Sequence, residues 1–276
     1  MTKTFPQIPG VDAAGTVVSS AVPALQVGDR VIVTGFDLGM NTWGGFATLI
    51  RVPASWVLPL PDPLSLQESM IFGTAGLTAA LCIDALMQHS VQPDAGEVLV
   101  TGATGGVGSL AVAMLAKLGF QVVAVTGKTE HHEWLRSLGA ATILSREELH
   151  DQSGKPLLSG RWAGAVDTVG GSMLATVLKS TRYGGCVTAC GLVGGADLTT
   201  TVYPFILRAV SLIGIDSVNC PLSRRRRLWH HLATAWKPDR LETIATLVSL
   251  PQLCEKMDAI LQGQMVGRVV VWVGEG

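Results

Sequence analysis

One glycine-rich segment constrains the fold of this chain more than any other feature of its sequence. Residues Gly102–Gly108 have the sequence Gly-Ala-Thr-Gly-Gly-Val-Gly, directly after the apolar run Val98–Thr101 and directly before an apolar stretch of helical composition. Glycines let the backbone turn sharply and approach a pyrophosphate, whose charge the amides and positive dipole of the next helix then bind. In this context the spacing predicts a dinucleotide-binding loop, and a tight structural turn is the alternative.

The stretches around this loop alternate between apolar strands and helices. The predicted strands are Val98–Val100, Gln121–Val125, Thr142–Leu144, Gly164–Val169, Cys186–Ala189 and Leu212–Ile215. The predicted helices between them are Gly105–Leu118, Thr129–Leu138 and Ser172–Lys179. Strands that are apolar on both faces and alternate with helices are typical of a parallel sheet covered on both sides. The sequence therefore predicts an α/β fold with a Rossmann-type, doubly wound parallel sheet.

The segments outside this pattern predict a second domain. Residues 1–64 are rich in Gly and Pro and contain short alternating apolar runs, which indicate an antiparallel, barrel-like unit. These runs are Gly15–Val18, Asp29–Val33 and Gly45–Ile50. Residues 65–218 form the predicted nucleotide-binding domain and begin with a capping box at Ser65–Glu68. Residues 219–276 resume a mixed pattern, so we expect them to return to the first domain.

The bulk properties bear on the partners of the chain. Its formal net charge is −1, so no long-range field attracts nucleic acid or an anionic membrane. No window reaches the roughly 18 uncharged apolar residues that a spanning helix needs, and the N-terminus has no hydrophobic signal core. We therefore expect a cytoplasmic protein, with no nucleic-acid or membrane partner, that binds a small molecule.

The end of the second predicted strand distinguishes NAD from NADP. An acid there hydrogen-bonds the ribose hydroxyls of NAD, whereas a cation accommodates the 2′-phosphate of NADP. Here the strand continues into Thr126, Gly127 and Lys128 with no acid at its tip, and Glu130 comes too late. The sequence therefore favours NADPH as the cofactor, and an ordinary solvated Lys128 is the alternative.

The sequence shows no metal-ligand pattern and no recognisable catalytic constellation. The five cysteines include no Cys-x-x-Cys pair, and residues 1–64 contain neither Cys nor His. The pairs His131–His132 and His230–His231 are adjacent in sequence, so each pair points to different sides of its helix, and we expect surface residues. We therefore expect hydride transfer without a metal.

These motifs, with others along the chain, resemble a known family. The matching segments are Phe5–Asp12, Ala14–Val17, Trp43–Gly45, Gly73–Gly76, Val100–Gly108, Trp162–Gly170, Tyr183–Gly191, Pro204–Arg208 and Gly214–Val218. Together they resemble the zinc-free quinone-oxidoreductase branch of the medium-chain dehydrogenase/reductase superfamily, and most closely its AcuI/YhdH-type acrylyl-CoA reductases. The resemblance implies a GroES-like β-barrel substrate domain beside the Rossmann domain.

The resemblance also implies which residues hold the cofactor. The positions that match the pyrophosphate loop are Thr104, Gly105, Gly106 and Val107. Those that match the 2′-phosphate segment are Thr126, Gly127 and Lys128, with Arg146 as a further phosphate-side contact. Those that line the adenosine and nicotinamide sides are Leu192, Ile206 and Ser217.

The family pattern begins with further barrel strands and an Asn-Tyr-Lys-Asp motif whose tyrosine lies near the nicotinamide. This sequence starts after that motif, so we expect a truncated GroES-like domain, and no catalytic residue is identified. Asp12 is expected to bond a turn and Trp43 to pack the barrel, with the cleft as the alternative for both. Arg224–Arg227 is expected to form solvated helix turns, with the phosphates of coenzyme A as the alternative.

The function that the resemblance implies is NADPH-dependent reduction of the C=C bond of acrylyl-CoA-like enoyl thioesters to the saturated acyl-CoA. The alternatives are an NADPH:quinone reductase and a truncated, inactive NADPH-binding protein. The resemblance further implies a homodimer formed through the last strand of the nucleotide domain, Ser211–Asp216.

Overall fold

The structure is a computed structural model that describes residues 5–274. Residues 1–4, part of the N-terminus in which the sequence shows no hydrophobic signal core, lie outside the described residues. It divides into two compact units. The outer unit contains residues up to Leu77, Ser217–Ala235 and the residues from Arg240 onward. The sheet unit contains Thr78–Asp216 and Trp236–Asp239. The first boundary lies inside a long helix, whereas the sequence analysis places it before that helix, between residues 64 and 65.

The sheet unit contains six parallel strands. They are β4 (Glu97–Val100), β5 (Gln121–Val125), β6 (Thr142–Leu144), β7 (Trp162–Asp167), β8 (Thr181–Ala189) and β9 (Ser211–Gly214). Their order across the sheet is β6-β5-β4-β7-β8-β9, and every neighbouring pair is parallel. The chain therefore winds outward in one direction from β4 and then in the other from β7. This is the doubly wound Rossmann order, so the predicted fold class is confirmed.

Four helices of this unit are α2 (Gly106–Lys117), α3 (His132–Ser137), α4 (Gly171–Ser180) and α5 (Tyr203–Arg208). α2 is apolar on all sides and buries every residue from Gly108 to Leu115, as expected for a helix packed in the core. The helix predicted at residues 129–138 begins with a 3₁₀ turn at Thr129–His131. The strand predicted at residues 164–169 instead ends at Asp167, because the backbone turns at Gly170, where φ is +75°.

The long helix α1 (Leu66–Gln88) is broken at Gly73, where φ is +48° and ψ is −151°. The predicted capping box is present at its start: the N–H of Ser65 donates to Glu68 (2.8 Å) and the N–H of Glu68 donates to the Ser65 hydroxyl (3.1 Å). α1 is long and apolar enough to cross a membrane by length and composition, but 83% of its most apolar window is buried inside the structure. Such burial is typical of a core helix of a globular protein.

The described part of the outer unit contains two small sheets, the first part of α1 and two further helices. β1 (Asp12–Thr16), β2 (Arg30–Thr34) and β3 (Leu58–Pro59) form an antiparallel sheet, and β10 (Ala245–Ser249) pairs in parallel with β11 (Arg268–Trp272). The two further helices are α6 (Leu222–Ala233) and α7 (Leu253–Leu261).

The prediction of a strand at Gly45–Ile50 is wrong. The N–H groups of Gly44, Gly45 and Phe46 donate to the carbonyls of Ile8, Gly10 and Pro9. This segment therefore bonds to a turn instead of to a neighbouring strand.

Two expectations for single residues of the outer unit are also wrong. Trp43 does not pack inside a barrel, because it lies in a loop and is 68% exposed. Arg225 is not solvated, because its guanidinium is buried and donates to the carbonyls of Thr34 (2.7 Å) and Ser217 (2.7 Å). Its charge also lies over the ring of Phe36, 4.5 Å from the centroid. Buried carbonyl oxygens therefore take the place of water around this arginine.

Candidate functional site

The glycine loop lies at the carboxyl end of β4, a central strand of the six-stranded sheet. Gly102 has φ +60°, and a Cβ at Gly108 would overlap the carbonyl oxygen of Gly102, so both positions require glycine. The N–H of Gly105 donates to the carbonyl of Gly102 (2.9 Å) and closes the turn. α2 begins at Gly106, and within the described chain no side chain caps it. Its first amides therefore face the position that a bound phosphate takes at a helix N-terminus.

A buried hydrogen-bond network ties this loop to β7. The hydroxyl of Thr101 donates to Asp167 (2.7 Å) and accepts from the N–H of Thr168 (3.0 Å). The other carboxylate oxygen of Asp167 accepts the N–H of Gly170 (2.7 Å). Burial raises the pKa of Asp167 above its usual value, and the hydrogen bonds from Thr101 and Gly170 offset only part of that rise. The network fixes the two strands at the point where the strand order reverses, and ligands bind at that point in doubly wound sheets.

Two threonines connect the glycine loop to the end of β5. Thr104 and Thr126 are both buried, and their hydroxyl oxygens lie 3.3 Å apart. The hydroxyl of Thr126 also accepts the N–H of Lys128 (3.1 Å). Thr126 therefore fixes the backbone that carries Lys128 relative to the loop. The phosphate-binding turn and the segment that selects the cofactor form one hydrogen-bonded group.

Two cations converge on Gly127. The side chain of Arg146 packs against this glycine, since a Cβ at Gly127 would lie only 3.0 Å from Nε of Arg146. Burial lowers the pKa of Lys128 from its usual value, Glu130 raises it, and the positive charge of Arg146 lowers it further. The effect of Arg146 on Lys128 shows that the two positive charges repel each other, and an anion near both would relieve the repulsion. The arrangement therefore favours a phosphate group beside Gly127.

The remaining predicted residues lie elsewhere. Leu192 is 67% exposed and belongs to a loop that packs on the turn after β7, where the N–H of Gly194 donates to the carbonyl of Val169 (2.8 Å). Ile206 is 67% exposed on α5. Ser217 is buried and belongs to the outer unit.

The structure therefore brings one part of the predicted set together. This part comprises Thr104, Gly105, Gly106, Val107, Thr126, Gly127, Lys128 and Arg146. Thr101 and Asp167, which hold the loop in place, were not predicted from the sequence. The signal available for Asp167 was a lone carboxylate at the end of a strand that is otherwise apolar and buried. Within residues 5–274 no group of three or more His, Cys, Asp or Glu side chains is placed to hold a metal ion.

A doubly wound sheet with a glycine loop at its switch point and cations at the tip of the second strand defines a dinucleotide-binding protein. Comparison with known proteins narrows this class. Two family models match the chain: "Alcohol dehydrogenase GroES-like domain" over residues 1–62 and "Zinc-binding dehydrogenase" over residues 106–234. The chain is 49% identical over 270 residues to "Putative quinone oxidoreductase YhfP" of Bacillus subtilis, covering 98% of this chain and 82% of that protein. It is 48% identical over 274 residues to "Acrylyl-CoA reductase AcuI" of Ruegeria pomeroyi, with the same two coverages.

Solved structures agree with these matches. The Escherichia coli protein YhdH with bound NADPH superposes with a TM-score of 0.96 at 48% identity, covering 99% of this chain and 84% of that one. The Bacillus subtilis protein yhfP with NAD bound superposes with a TM-score of 0.96 at 49% identity, covering 98% and 82%. The chain therefore belongs to the medium-chain dehydrogenase/reductase family, in its AcuI/YhdH/YhfP group of quinone oxidoreductase-like proteins.

Proposed function

We propose that this chain is an NADPH-dependent reductase that converts acrylyl-CoA-like enoyl thioesters into the saturated acyl-CoA without a metal. The observation that carries the proposal is the pair of cations, Lys128 and Arg146, beside the glycine loop in a chain 48% identical to an acrylyl-CoA reductase. The loop can bind a pyrophosphate, and the two cations can bind a further phosphate. These are the charged groups of NADPH.

The residues present fit this cofactor. The amides of Thr104–Val107 lie at the start of α2, where they would bind the pyrophosphate. Gly127 has no side chain and so lets Arg146 pack close to the backbone, and Lys128 is the next residue; the two cations are proposed to hold the 2′-phosphate. Leu192, Ile206 and Ser217 are proposed to line the adenosine and nicotinamide sides. When bound, the cofactor supplies a hydride to the C=C bond.

The chain itself contributes position and electrostatics. The backbone N–H groups of Thr104 and Gly105 would hold the phosphates as fixed donors, so little reorganisation would be needed when the cofactor reacts. The Thr101–Asp167 bond keeps this loop at a fixed place on the sheet. In a thioester the negative charge moves to the carbonyl oxygen as the β-carbon is reduced, and donors near that oxygen lower the barrier. We assign no general acid, and solvent is the proposed proton source.

A quinone is the second candidate substrate. It is favoured by the 49% identity to a protein named as a quinone oxidoreductase. Both substrates present an electron-poor acceptor, so the cofactor site does not distinguish them. The difference lies in the coenzyme A portion, which only the thioester carries.

The proposed activity is tested by following NADPH absorbance on addition of acryloyl-CoA to the purified protein, with a benzoquinone in a parallel reaction. We expect acryloyl-CoA to be reduced and propionyl-CoA to accumulate in equal amount. Turnover of the quinone alone would favour the second candidate. NADPH binding with no turnover of either substrate would reject both enzymatic functions and leave an NADPH-binding protein.

We also propose that the protein is a homodimer. β9 lies at the edge of the six-stranded sheet, so its outer backbone groups are available for another strand. Pairing of Ser211–Asp216 with the same segment of a second copy would extend the sheet across a homodimer. Light scattering at micromolar protein should give twice the chain mass, and a monomer would contradict the proposal.

We further propose that the chain is a cytoplasmic enzyme with no nucleic-acid or membrane partner, since its long apolar helix α1 is mostly buried in the core. Its proposed domains are residues 1–64, 65–218 and 219–276.

A further inference from the structure

A second loop lies near the glycine loop at the carboxyl ends of the parallel strands. It comprises residues 190–195, directly after β8, and we call it the β8 loop. The glycine loop follows β4, and β7 lies between β4 and β8 in the sheet. All of these residues belong to the sheet unit. One strand therefore separates the two loops, and the turn that follows this strand, residues 168–170, is placed to contact both.

This turn contacts the glycine loop through Thr168. The Thr168 hydroxyl donates to the carbonyl of Thr101 (2.9 Å), and its N–H donates to the Thr101 hydroxyl (3.0 Å). A Cβ at Gly102 would overlap the Thr168 hydroxyl oxygen. The hydroxyl of Thr101 in turn donates to Asp167 (2.7 Å) at the end of β7. Three hydrogen bonds therefore hold the start of the glycine loop against the end of β7.

The same turn contacts the β8 loop. The N–H of Cys190 donates to the carbonyl of Asp167 (3.0 Å), and a Cβ at Gly191 would overlap the carbonyl oxygen of Thr168. The Asp167 carboxylate accepts the N–H of Gly170 (2.7 Å) and so fixes the turn itself. One hydrogen-bonded group therefore determines where the two loops lie relative to each other.

A dinucleotide crosses a doubly wound sheet at the point where the strand order reverses, with one nucleotide on each half of the sheet. Lys128 and Arg146 follow β5 and β6, on one side of that point, so the 2′-phosphate and its adenosine belong to that half. The nicotinamide would then lie on the other half, which contains β7, β8 and the β8 loop. NADPH would therefore extend across both loops.

We propose that Thr101 and Asp167 are positioning residues, which set the spacing of the glycine loop and the β8 loop and so place the nicotinamide relative to the phosphates. Both side chains are fully buried, so they act through the two loops and not by touching the cofactor. The inference rests on the proposed function, because it takes NADPH as the ligand. A ligand that extends across both loops requires their correct spacing, whereas a ligand of the adenosine half alone does not.

Calorimetric titration with two ligands tests this difference. NADPH extends across both loops, and adenosine 2′,5′-bisphosphate provides the adenosine half alone. Thr101→Val removes the hydroxyl at nearly constant size. We expect this variant to bind NADPH about tenfold more weakly and the bisphosphate as tightly as wild type does. Thr101→Ser keeps the hydroxyl and should bind both ligands with wild-type affinity.

Thr181→Val is the matched control, because it also removes a hydroxyl from a fully buried threonine of the sheet unit. The Thr181 hydroxyl donates to the carbonyl of Val177 (2.8 Å), at the opposite end of β8 from the β8 loop. We expect this control to bind both ligands with wild-type affinity. A loss of NADPH affinity equal to that of Thr101→Val would overturn the inference.

Asp167→Asn provides the same test without relying on the folding of Thr101→Val. An amide has one oxygen, so it serves Thr101 and Gly170 less well than a carboxylate does, and we expect the same selective loss of NADPH affinity. Equal weakening of the two ligands by these variants, or unchanged NADPH affinity in both, would overturn the inference.

The inference and the proposed function fail on different results. A selective loss of NADPH affinity, in a protein whose wild type does not turn over acryloyl-CoA, would support the inference and reject the proposed reduction alone. Turnover of acryloyl-CoA by wild type, with NADPH affinity unchanged in Thr101→Val and Asp167→Asn, would reject the inference alone.

Discussion

The carboxylate of Asp12 accepts hydrogen bonds from both the backbone N–H (2.9 Å) and the hydroxyl (2.5 Å) of Thr74, directly after the break in α1. The same carboxylate lies 3.8 Å from the guanidinium of Arg268. Gly73 occupies a left-handed conformation, and a Cβ there would lie 2.5 Å from Asp12. Asp12 therefore caps the second half of the helix. The expected structural role is found, but the partner of Asp12 is the start of a helical segment and not a turn.

Replacement of Asp12 by alanine should destabilise the fold. It leaves the N–H of Thr74 without its acceptor and the mostly buried Arg268 without its counter-charge, so we expect a loss of about 2 kcal/mol in the free energy of unfolding. Urea denaturation measures this loss. Asp62→Ala is the matched control, because Asp62 pairs with Arg30 in solvent with 87% of its side chain exposed, and should change stability much less. Equal losses in the two variants would contradict the capping role.

Replacement of Gly108 by alanine should abolish nucleotide binding. The new Cβ would overlap the carbonyl oxygen of Gly102, so the loop must open and its amides must leave their positions. Gly15→Ala is the control, because a Cβ at Gly15 meets nothing within 4 Å. We expect calorimetry to detect no NADPH binding for Gly108→Ala and wild-type affinity for Gly15→Ala. Wild-type affinity in both variants would show that the loop does not hold the cofactor.

Replacement of the buried Arg225 by methionine should be much more disruptive than the same change at Arg227. Arg225 donates to the carbonyl and the hydroxyl of Thr34, and to the carbonyls of Ser217 and Val218. Methionine leaves these buried acceptors unsatisfied, and we expect a loss of about 3 kcal/mol or more in the free energy of unfolding. Arg227 is exposed, so Arg227→Met should stay close to wild type in the same urea titration. A small loss in both variants would contradict the role assigned to Arg225.

The charge of Asp151 should make stability depend on pH in the acid range. Hydrogen bonds from the hydroxyl and N–H of Ser153, and then from Lys179, lower the pKa of Asp151 from 3.8 to about 2. Because the folded state favours the ionised form, its contribution is present above about pH 4 and is lost as the pH falls through about 2. Wild type should therefore exceed Asp151→Asn in unfolding free energy at neutral pH, and the two should converge as the pH falls. A difference that stays constant down to about pH 2 in urea titrations would contradict this assignment.

The sequence predicted the parts of the fold that local pattern determines. The glycine spacing at Gly102–Gly108 and the fully apolar strands permit few arrangements other than a doubly wound sheet. Lys128 was predicted because its position follows directly from the end of a predicted strand. β10 was not predicted, because its pairing with β11 depends on the tertiary fold.

Contacts between distant residues were not predictable in this way. Arg225 has the same sequence surroundings as its exposed neighbours, and only the placement of Thr34, 191 residues away, shows that it is buried. The network of Thr101 and Asp167 joins strands 66 residues apart in the chain. The approach of Arg146 to Gly127 depends on the pairing of β5 with β6, and only the family resemblance indicated it.

Replacement of Lys128 by alanine should remove the preference for NADPH. The lysine and Arg146 flank the proposed position of the 2′-phosphate, so its loss should weaken NADPH binding about tenfold or more and leave NADH binding unchanged. Lys117→Ala is the control. Lys117 is the last residue of α2, at the opposite end of that helix from the glycine loop, and it pairs with Asp239.

Calorimetric titration of the wild-type protein and Lys128→Ala with NADPH and with NADH tests the central claim most directly. Wild type should bind NADPH more tightly than NADH, and the variant should bind the two with similar affinity. If wild type binds NADH more tightly than NADPH, the account is contradicted. A preference for NADPH that Lys128→Ala leaves intact would contradict the assigned position of the phosphate.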